Sequence, residues 1–172
     1  VEQYTALCTQ RGIQGPNWLQ NLRKDGIDVF QKTGLPGRKT EAWKYTNLNK
    51  LAKIGFALAA PTPQIDTLSI PTLDFEGFRV VFINGRFQPA LSQLVGLPEG
   101  IQIESLFEKI YREPHLLESR LCRLPASQDM PLTALNMAFA EDGLYLRVAP
   151  KTCLEQPIHI IFIGQAPDCP VA

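Results

Sequence analysis

The sequence lacks both a net charge and an apolar run long enough to cross a bilayer. Its 172 residues include 17 Lys and Arg and 17 Asp and Glu, so the formal net charge is zero. Because a neutral chain has little overall attraction for nucleic acid or anionic lipid, we expect neither as a partner. The longest apolar run, residues 158–164, is strand-sized, whereas a transmembrane helix needs roughly 20 residues. No signal peptide is visible at the start, and we expect a cytoplasmic protein.

Motifs of catalysis and of metal binding are also missing. The four cysteines are widely spread and form no C-x-x-C pair, which predicts reduced, unpaired thiols: Cys8, Cys122, Cys153 and Cys169. There are two histidines, His115 and His159, and no G-x-S-x-G, phosphate-loop or H-E-x-x-H motif. Cys153 and His159 lie near Glu155, but this spacing is not a known ligand pattern. We therefore expect no enzyme activity, no bound cofactor and no metal site in this chain.

A helical arm is the first feature that the sequence does contain, and we assign it to residues 1–56. Pro16 and Asn17 are suited to start a helix, and apolar residues follow at a spacing close to 3.6. Gly34 is the expected end of this helix, although Asp25 and Gly26 could interrupt it earlier. The arm is amphipathic, so one face must pack on another part of the protein.

The arm is followed by a proline-rich stretch, residues 57–76, which we predict to be a linker. Its prolines are Pro61, Pro63 and Pro71. An α+β region then covers residues 77–150. It begins with a β-branched and aromatic run, 78–83, and Asn84-Gly85 next to it predicts a type I′ hairpin. Residues 86–91 form the predicted returning strand, which Pro89 limits to an edge or to short pairing.

Short elements alternate through the rest of this region. We predict a strand at 101–103, a helix at 106–111 capped by Ser105, a helix at 115–121 and a buried helix at 132–140. Glu141-Asp142 beside Gly143 indicates a turn into a strand at 144–148. The final segment, 151–172, contains a strand at 158–163 that is apolar on both faces. Such a strand has unmet packing needs, which suggests that the natural protein continues. The fold class is α+β.

A short basic and aromatic run between the arm and the linker supplies the candidate interaction residues: Arg38, Lys39, Trp43, Lys44 and Tyr45. One interpretation is a nucleic-acid patch with stacking aromatics. The neutral charge of the chain and the brevity of the run favour the other interpretation, in which the aromatics anchor the arm on the next layer. Thr40 is suited to cap a helical turn that begins at Glu41.

The same run resembles the N-terminal signature of the SufB/SufD family, and within it the SufD branch. The matching residues are Gly34-Leu35-Pro36, Arg38-Lys39, Glu41, Trp43-Lys44-Tyr45-Thr46 and Leu48. Later segments agree in order: residues 81–87, 89–92, 135–136, 138–139, 142–143 and 157–158. The resemblance extends over about residues 16–163, and position 37 departs from it with Gly in place of the commoner Thr.

This resemblance implies a scaffold subunit that acts with SufB-like and SufC-like proteins in iron–sulfur cluster assembly by the SUF system. It also implies that ATP is bound by the SufC partner and that the cluster is handled by the complete complex. In the family the chain continues into a right-handed parallel β-helix, so residues 158–163 are the expected first strand of that core. The cluster-related positions lie in later parts, and no catalytic or metal residue is transferred here. The alternatives are a β-helix enzyme whose catalytic region is missing and a stand-alone interaction adaptor.

Overall fold

A computed structural model describes residues 4–5, 8, 15–37, 40–53, 70, 76–121 and 130–164. The helices traced from end to end within those residues are α1 (Asn17–Thr33), α2 (Leu106–Arg112), α3 (Pro114–Leu121) and α4 (Pro131–Ala138). The strands are β1 (Phe78–Ile83), β2 (Arg86–Phe87), β3 (Ile101–Ser105), β4 (Leu144–Val148) and β5 (Ile158–Ile163). The chain divides into two compact units, a helical unit of residues 1–58 and 110–140 and a β unit of residues 59–109 and 141–171.

The helical unit is built around the contact between α1 and α4. Gly26 of α1 is buried at this contact, and a methyl group added there would lie 2.6 Å from the carbonyl oxygen of Ala134. Arg23 on the same helix is 8% exposed, and its Nε donates a 2.9 Å hydrogen bond to the carbonyl of Ala140 just past α4. The α4 residues next to Gly26 are two alanines and the flexible Met137, which lets the two backbones approach closely. The apolar residues buried on the two helices are Leu19, Ile27, Ala134, Met137 and Ala138.

The limits of α1 agree with the sequence. The helix follows Pro16 and ends at Gly34, which has a φ of +66° and donates from its amide to the carbonyl of Phe30 at 2.8 Å. A positive φ costs glycine little, so it terminates the helix without steric strain. The helix runs through Asp25-Gly26, where the sequence allowed an interruption. Gly26 provides room for α4 and does not break the helix.

In the β unit the three-stranded sheet has the order β2-β1-β5. β1 and β2 form the predicted hairpin, with positive φ at both turn residues, +49° at Asn84 and +77° at Gly85. The returning strand is shorter than predicted: β2 ends at Phe87, and Pro89–Leu91 form a 3₁₀ turn. The reason is that Pro89 has no amide proton to donate to the ladder and its fixed φ suits the start of a helical turn.

A serine side chain completes the pairing that this turn interrupts. The Val81 amide donates to Ser92 Oγ at 3.0 Å, and Ser92 Oγ donates in turn to the carbonyl of Gln88 at 2.8 Å. Backbone pairing then resumes between Arg79 and Gln93. Backbone groups on the β2 side of β1 therefore have hydrogen-bond partners beyond the two residues of β2 itself.

β3 and β4 form a separate antiparallel pair, with Ile101 opposite Val148 and Ser105 opposite Leu144. β3 leads directly into α2. Ser105 Oγ accepts the Glu108 amide at 3.1 Å, which confirms the predicted cap. The strand at 101–103 is confirmed and extends to Ser105.

One core cluster of the β unit lies on one face of the three-stranded sheet. Val81 and Ile83 of β1 and Ile161 of β5 are buried there together with Ile70, and Leu91 and Ile163 pack against them. The mixed α and β character of the fold class is thus confirmed. The predicted linker, apart from Ile70 and Glu76, and the region 122–129 lie outside the described residues. The four-segment division of the chain stays a prediction, since each compact unit combines segments that are distant in the sequence.

Candidate functional site

The first candidate surface is the basic–aromatic segment, residues 40–53. Its backbone is held by local turns: Glu41–Trp43 form one 3₁₀ turn and Leu51–Lys53 another. The amide of Trp43 donates to the carbonyl of Thr40, and the amide of Thr46 donates to that of Trp43, each at 2.9 Å. No side chain whose burial is described in this segment is buried. The segment therefore owes its conformation to local turns more than to packing.

Tyr45 is the most exposed aromatic residue of this segment, with 93% of its surface in contact with solvent. The Lys44 ammonium lies 5.4 Å from the centre of the Tyr45 ring and 3.8 Å from the Glu41 carboxylate. Such surface contacts contribute little to stability, because both charged groups remain hydrated. The tyrosine ring is thus presented to solvent beside a lysine, and it is not built into a core.

The structure places the five predicted interaction residues differently. Lys44 and Tyr45 are adjacent and exposed, and Trp43 is half-buried. Arg38 and Lys39 lie outside the described residues. The prediction that Tyr45 anchors the arm is wrong, because its ring packs against almost nothing; for Trp43 the anchor stays a prediction. The turn at Glu41 is confirmed, but the Thr40 side chain makes no capping hydrogen bond.

The second candidate surface is the outer edge of β5. The sequence alone does not indicate which strand pairs with β5. β5 pairs with β1 in parallel along its whole length, from Phe78 opposite Ile158 to Ile83 opposite Ile163. β1 is the central strand of the sheet, whereas β5 is its edge. Among the described residues no strand pairs with the other side of β5. Backbone groups on that side are available to a further strand.

One face of β5 is apolar and open to solvent. Phe162 is 72% exposed and Ile160 is 39% exposed. The Phe162 ring stacks on Phe82 of β1, with centroids 5.0 Å apart and planes inclined by 20°. Phe82 itself is 1% exposed, so this contact contributes to covering a core residue. An open strand edge next to exposed aromatic and aliphatic side chains is a surface suited to strand addition.

A carboxylate that the sequence assigned only to a turn links several elements of the β unit. Asp142 Oδ1 accepts hydrogen bonds from Ser105 Oγ at 2.8 Å and from the Phe107 amide at 3.0 Å. Its Oδ2 accepts the Phe87 amide at 2.8 Å. The Asp142 carboxylate therefore joins the end of the hairpin to the start of α2. Sequence reasoning missed this role because the donors lie 35 to 55 residues away.

The neighbouring glutamate adds an ion pair to this junction. Arg86 Nη2 lies 2.9 Å from Glu141 Oε2, and both side chains are partly buried. Such a pair is less screened by solvent than one at a fully exposed site. Glu141 and Asp142 thus hold consecutive residues of β2, since Arg86 and Phe87 are their respective partners.

Among the residues that the structure describes, the histidines and Cys153 form no catalytic cluster. His115 is 96% exposed and lies 3.9 Å from Glu118, His159 is half-buried on β5, and Cys153 is exposed and free of any disulfide. Burial, followed by the adjacent Cys8, raises the pKa of Tyr4 to about 12. That tyrosine stays neutral at physiological pH. Across the described stretches no three His, Cys, Asp or Glu side chains lie close enough together to hold a metal ion.

The length and polarity of the described helices bear on whether any of them could cross a membrane. None of them is both long and apolar enough to cross a bilayer. The longest of them, α1, has 17 residues, five of which are charged.

Comparison with known proteins assigns the chain to a family. Residues 2–160 match the family model described as the SufBD protein N-terminal region. An iron–sulfur cluster assembly SufBD family protein from Synechocystis is 28% identical over 175 residues, which cover 99% of this chain and 38% of the relative. The iron–sulfur cluster assembly protein SufD from Escherichia coli is 34% identical over 115 residues, 59% of this chain and 25% of the relative.

The chain thus spans well under half the length of these two relatives. The family match extends from before α1 to the third residue of β5 and so includes the basic–aromatic segment, the hairpin and the Asp142 junction. This match shows that the chain belongs to the SufBD family of iron–sulfur cluster assembly proteins and corresponds to the N-terminal region of that family.

Proposed function

We propose that the protein is a non-catalytic scaffold subunit of SUF iron–sulfur cluster assembly that acts together with SufB-like and SufC-like proteins. The observation that carries this proposal is the family match over residues 2–160. The relatives named as assembly proteins extend the same assignment to most of the chain. The cluster is the cargo of the complete complex, and ATP is hydrolysed by the SufC-like partner. This chain contributes protein contacts and binds no cofactor.

The geometry of β1 and β5 supports a particular architecture for this scaffold. The two strands are parallel and in register over six residue pairs. Parallel strands cannot be joined by a tight hairpin, and here the connection from β1 to β5 contains the rest of the α+β region. We propose that β5 is the first strand of a right-handed parallel β-helix and that β1 pairs with the inner edge of that strand. The next coil would pair with the open edge of β5 and cover Phe162.

Co-purification tests the proposed function. The complete protein encoded by the gene is co-expressed with the SufB-like and SufC-like proteins of the same organism, with an affinity tag on one partner only. We expect all three to elute together at a fixed stoichiometry from size-exclusion chromatography. Absence of the protein from complexes with both partners would contradict the scaffold assignment.

Enzyme activity is tested separately. The SufC-like partner is assayed for ATP hydrolysis alone, with this protein, and with a SufC variant that cannot bind ATP. We expect all hydrolysis to be lost with that variant, because this chain has no phosphate-binding loop. ATP hydrolysis that persists would show that the chain is not a passive scaffold.

A further inference from the structure

The basic–aromatic segment, residues 40–53, exposes side chains that the fold itself does not use. Tyr45 is 93% exposed, and Lys44, Lys50 and Lys53 are exposed around it in the sequence. An aromatic ring that stays in water gains none of the free energy that burial provides. Tyrosine is among the residues in which binding free energy is concentrated at protein interfaces. The ring is thus better suited to a binding partner than to the stability of this unit.

The charge of this part of the chain differs sharply from the rest. Residues 38–53 contain five basic residues and one acidic residue, a net charge of +4. The remaining residues contain 12 basic and 16 acidic residues, a net charge of −4. The overall neutrality therefore conceals a local basic stretch. Within the described segment, Glu41 supplies the only negative charge against Lys44, Lys50 and Lys53.

We propose that the basic–aromatic segment is a docking site for an acidic surface on a protein partner within the assembly. This inference rests on the proposed function, because it takes the partner from the same complex. Tyr45 supplies an apolar ring and a hydroxyl donor for carboxylates of the partner. The three lysines supply complementary charge, which speeds association and selects against basic surfaces.

The position of Glu41 favours a protein over a nucleic acid. Its side chain is 90% exposed and lies 3.8 Å from the Lys44 ammonium. A carboxylate at this place repels phosphates, whereas a mixed surface of opposite charges suits a protein interface. Trp43 is half-buried, which leaves Tyr45 as the one fully presented ring of the segment, while stacking platforms for single strands use successive aromatic rings.

Two variants of the complete protein test the proposal in the purified three-component complex. The first is Tyr45→Ala, and its control is Val95→Ala, which removes an apolar side chain of equal exposure at 94%. The second reverses three charges, Lys44→Glu, Lys50→Glu and Lys53→Glu. Its control, Lys24→Glu with Lys32→Glu and Arg120→Glu, makes the same charge change at other exposed positions of the helical unit. Circular dichroism verifies that every variant is folded.

Binding to the immobilised partners is measured by interferometry at low and high salt. We expect Tyr45→Ala to weaken binding about tenfold, as truncation of an interface tyrosine does. The charge reversal should slow association about tenfold at low salt and remove most of its salt dependence. Both control proteins should bind like the wild type.

The possible outcomes separate this proposal from the function on which it rests. If wild type and both variants bind the partners equally, the docking site is refuted and the scaffold function stands. If the wild type does not bind either partner, the scaffold function fails and the docking site fails with it. Sedimentation and a single-stranded DNA titration complete the test. Self-association or DNA binding that is lost in the charge-reversed variant, with partner binding unchanged, overturns the proposal in favour of another occupant.

Discussion

Gly26 is the residue at which the helical unit depends most directly on the absence of a side chain. A Cβ atom there would lie 2.6 Å from the Ala134 carbonyl oxygen and 2.8 Å from the Ala138 amide nitrogen. Both are backbone atoms of α4, so they cannot move aside as the end of a flexible side chain would. In an exposed helix the same substitution would stabilise by up to about 1 kcal/mol. Here the close approach of α4 reverses that sign.

We predict that Gly26→Ala lowers the free energy of unfolding by about 2 to 3 kcal/mol, as overpacking of a close contact does. Urea denaturation followed by circular dichroism measures it. Gly37→Ala is the control, because nothing lies within 4 Å of a Cβ atom there. A Gly26→Ala protein as stable as the control would show that α1 and α4 do not approach so closely.

Prediction from sequence succeeded for glycine where the backbone alone decides. Gly34 and Gly85 have positive φ, and the sequence predicts a helix end at the first and a turn at the second. At Gly26 the sequence allows a break in the helix. Its actual role cannot be predicted locally, because it depends on a helix that begins more than a hundred residues later. A neighbour so distant leaves no local signal. The exposure of Tyr45 could not be predicted either, because an aromatic residue among charged ones is compatible both with a buried anchor and with an exposed binding residue.

At the scale of elements, the Asp142 junction holds the β2 end of the hairpin, the end of β3 and the start of α2. Its carboxylate oxygens accept from two backbone amides and one hydroxyl of these elements. The two acceptor bonds at the start of α2 also place negative charge at the positive end of a helix. The turn chemistry that the sequence predicted at 141–143 is real, but it is the smaller part of what this residue does.

We predict that Asp142→Ala destabilises the protein by about 3 kcal/mol, because it leaves partly buried donors without an acceptor. Thermal and chemical denaturation measure the change, and Glu99→Ala at an exposed turn is the control. Asp142→Asn should recover part of the loss, since its amide oxygen still accepts. A change below about 0.5 kcal/mol for the alanine variant would mean that solvent replaces these bonds freely.

Local signals explain which strands could be predicted. β1 and β2 follow from Asn84-Gly85, and the early end of β2 follows from Pro89. The parallel partner of β5 could not be found in this way. A strand that is apolar on both faces accepts many partners, and parallel pairing carries no turn residue to mark it. The pairing is therefore specified by the packed sheet as a whole.

At the scale of the whole molecule, the two compact units carry opposite net charges. The helical unit contains 12 basic and 7 acidic residues, and the β unit contains 5 basic and 10 acidic residues. Net charges of +5 and −5 cancel in the chain total. Composition alone therefore argued against charge-directed contacts, although each unit carries a considerable charge of its own.

The proposed β-helix makes a prediction that belongs to the complete protein. If a further coil covers β5, Phe162 is buried there, and Phe162→Ala should cost about 3 kcal/mol or more. If the face stays as open as it is here, with Phe162 72% exposed, the cost should be about 1 kcal/mol or less. Denaturation of the complete protein decides between the two, with the exposed Val95→Ala as reference. The smaller value would count against a coil on β5.

The parallel pairing of β1 with β5 also bears on how the protein folds during synthesis. Every residue of β1 pairs with one that is 80 positions later, as Phe78 with Ile158 shows. Contacts between such distant residues form slowly, because a long loop must close first. Until β5 leaves the ribosome, one edge of β1 has no partner, although Val80 and Val81 are fully buried in the finished fold. We expect nascent chains that end before residue 158 to bind general chaperones and to be sensitive to protease, and longer ones to become resistant.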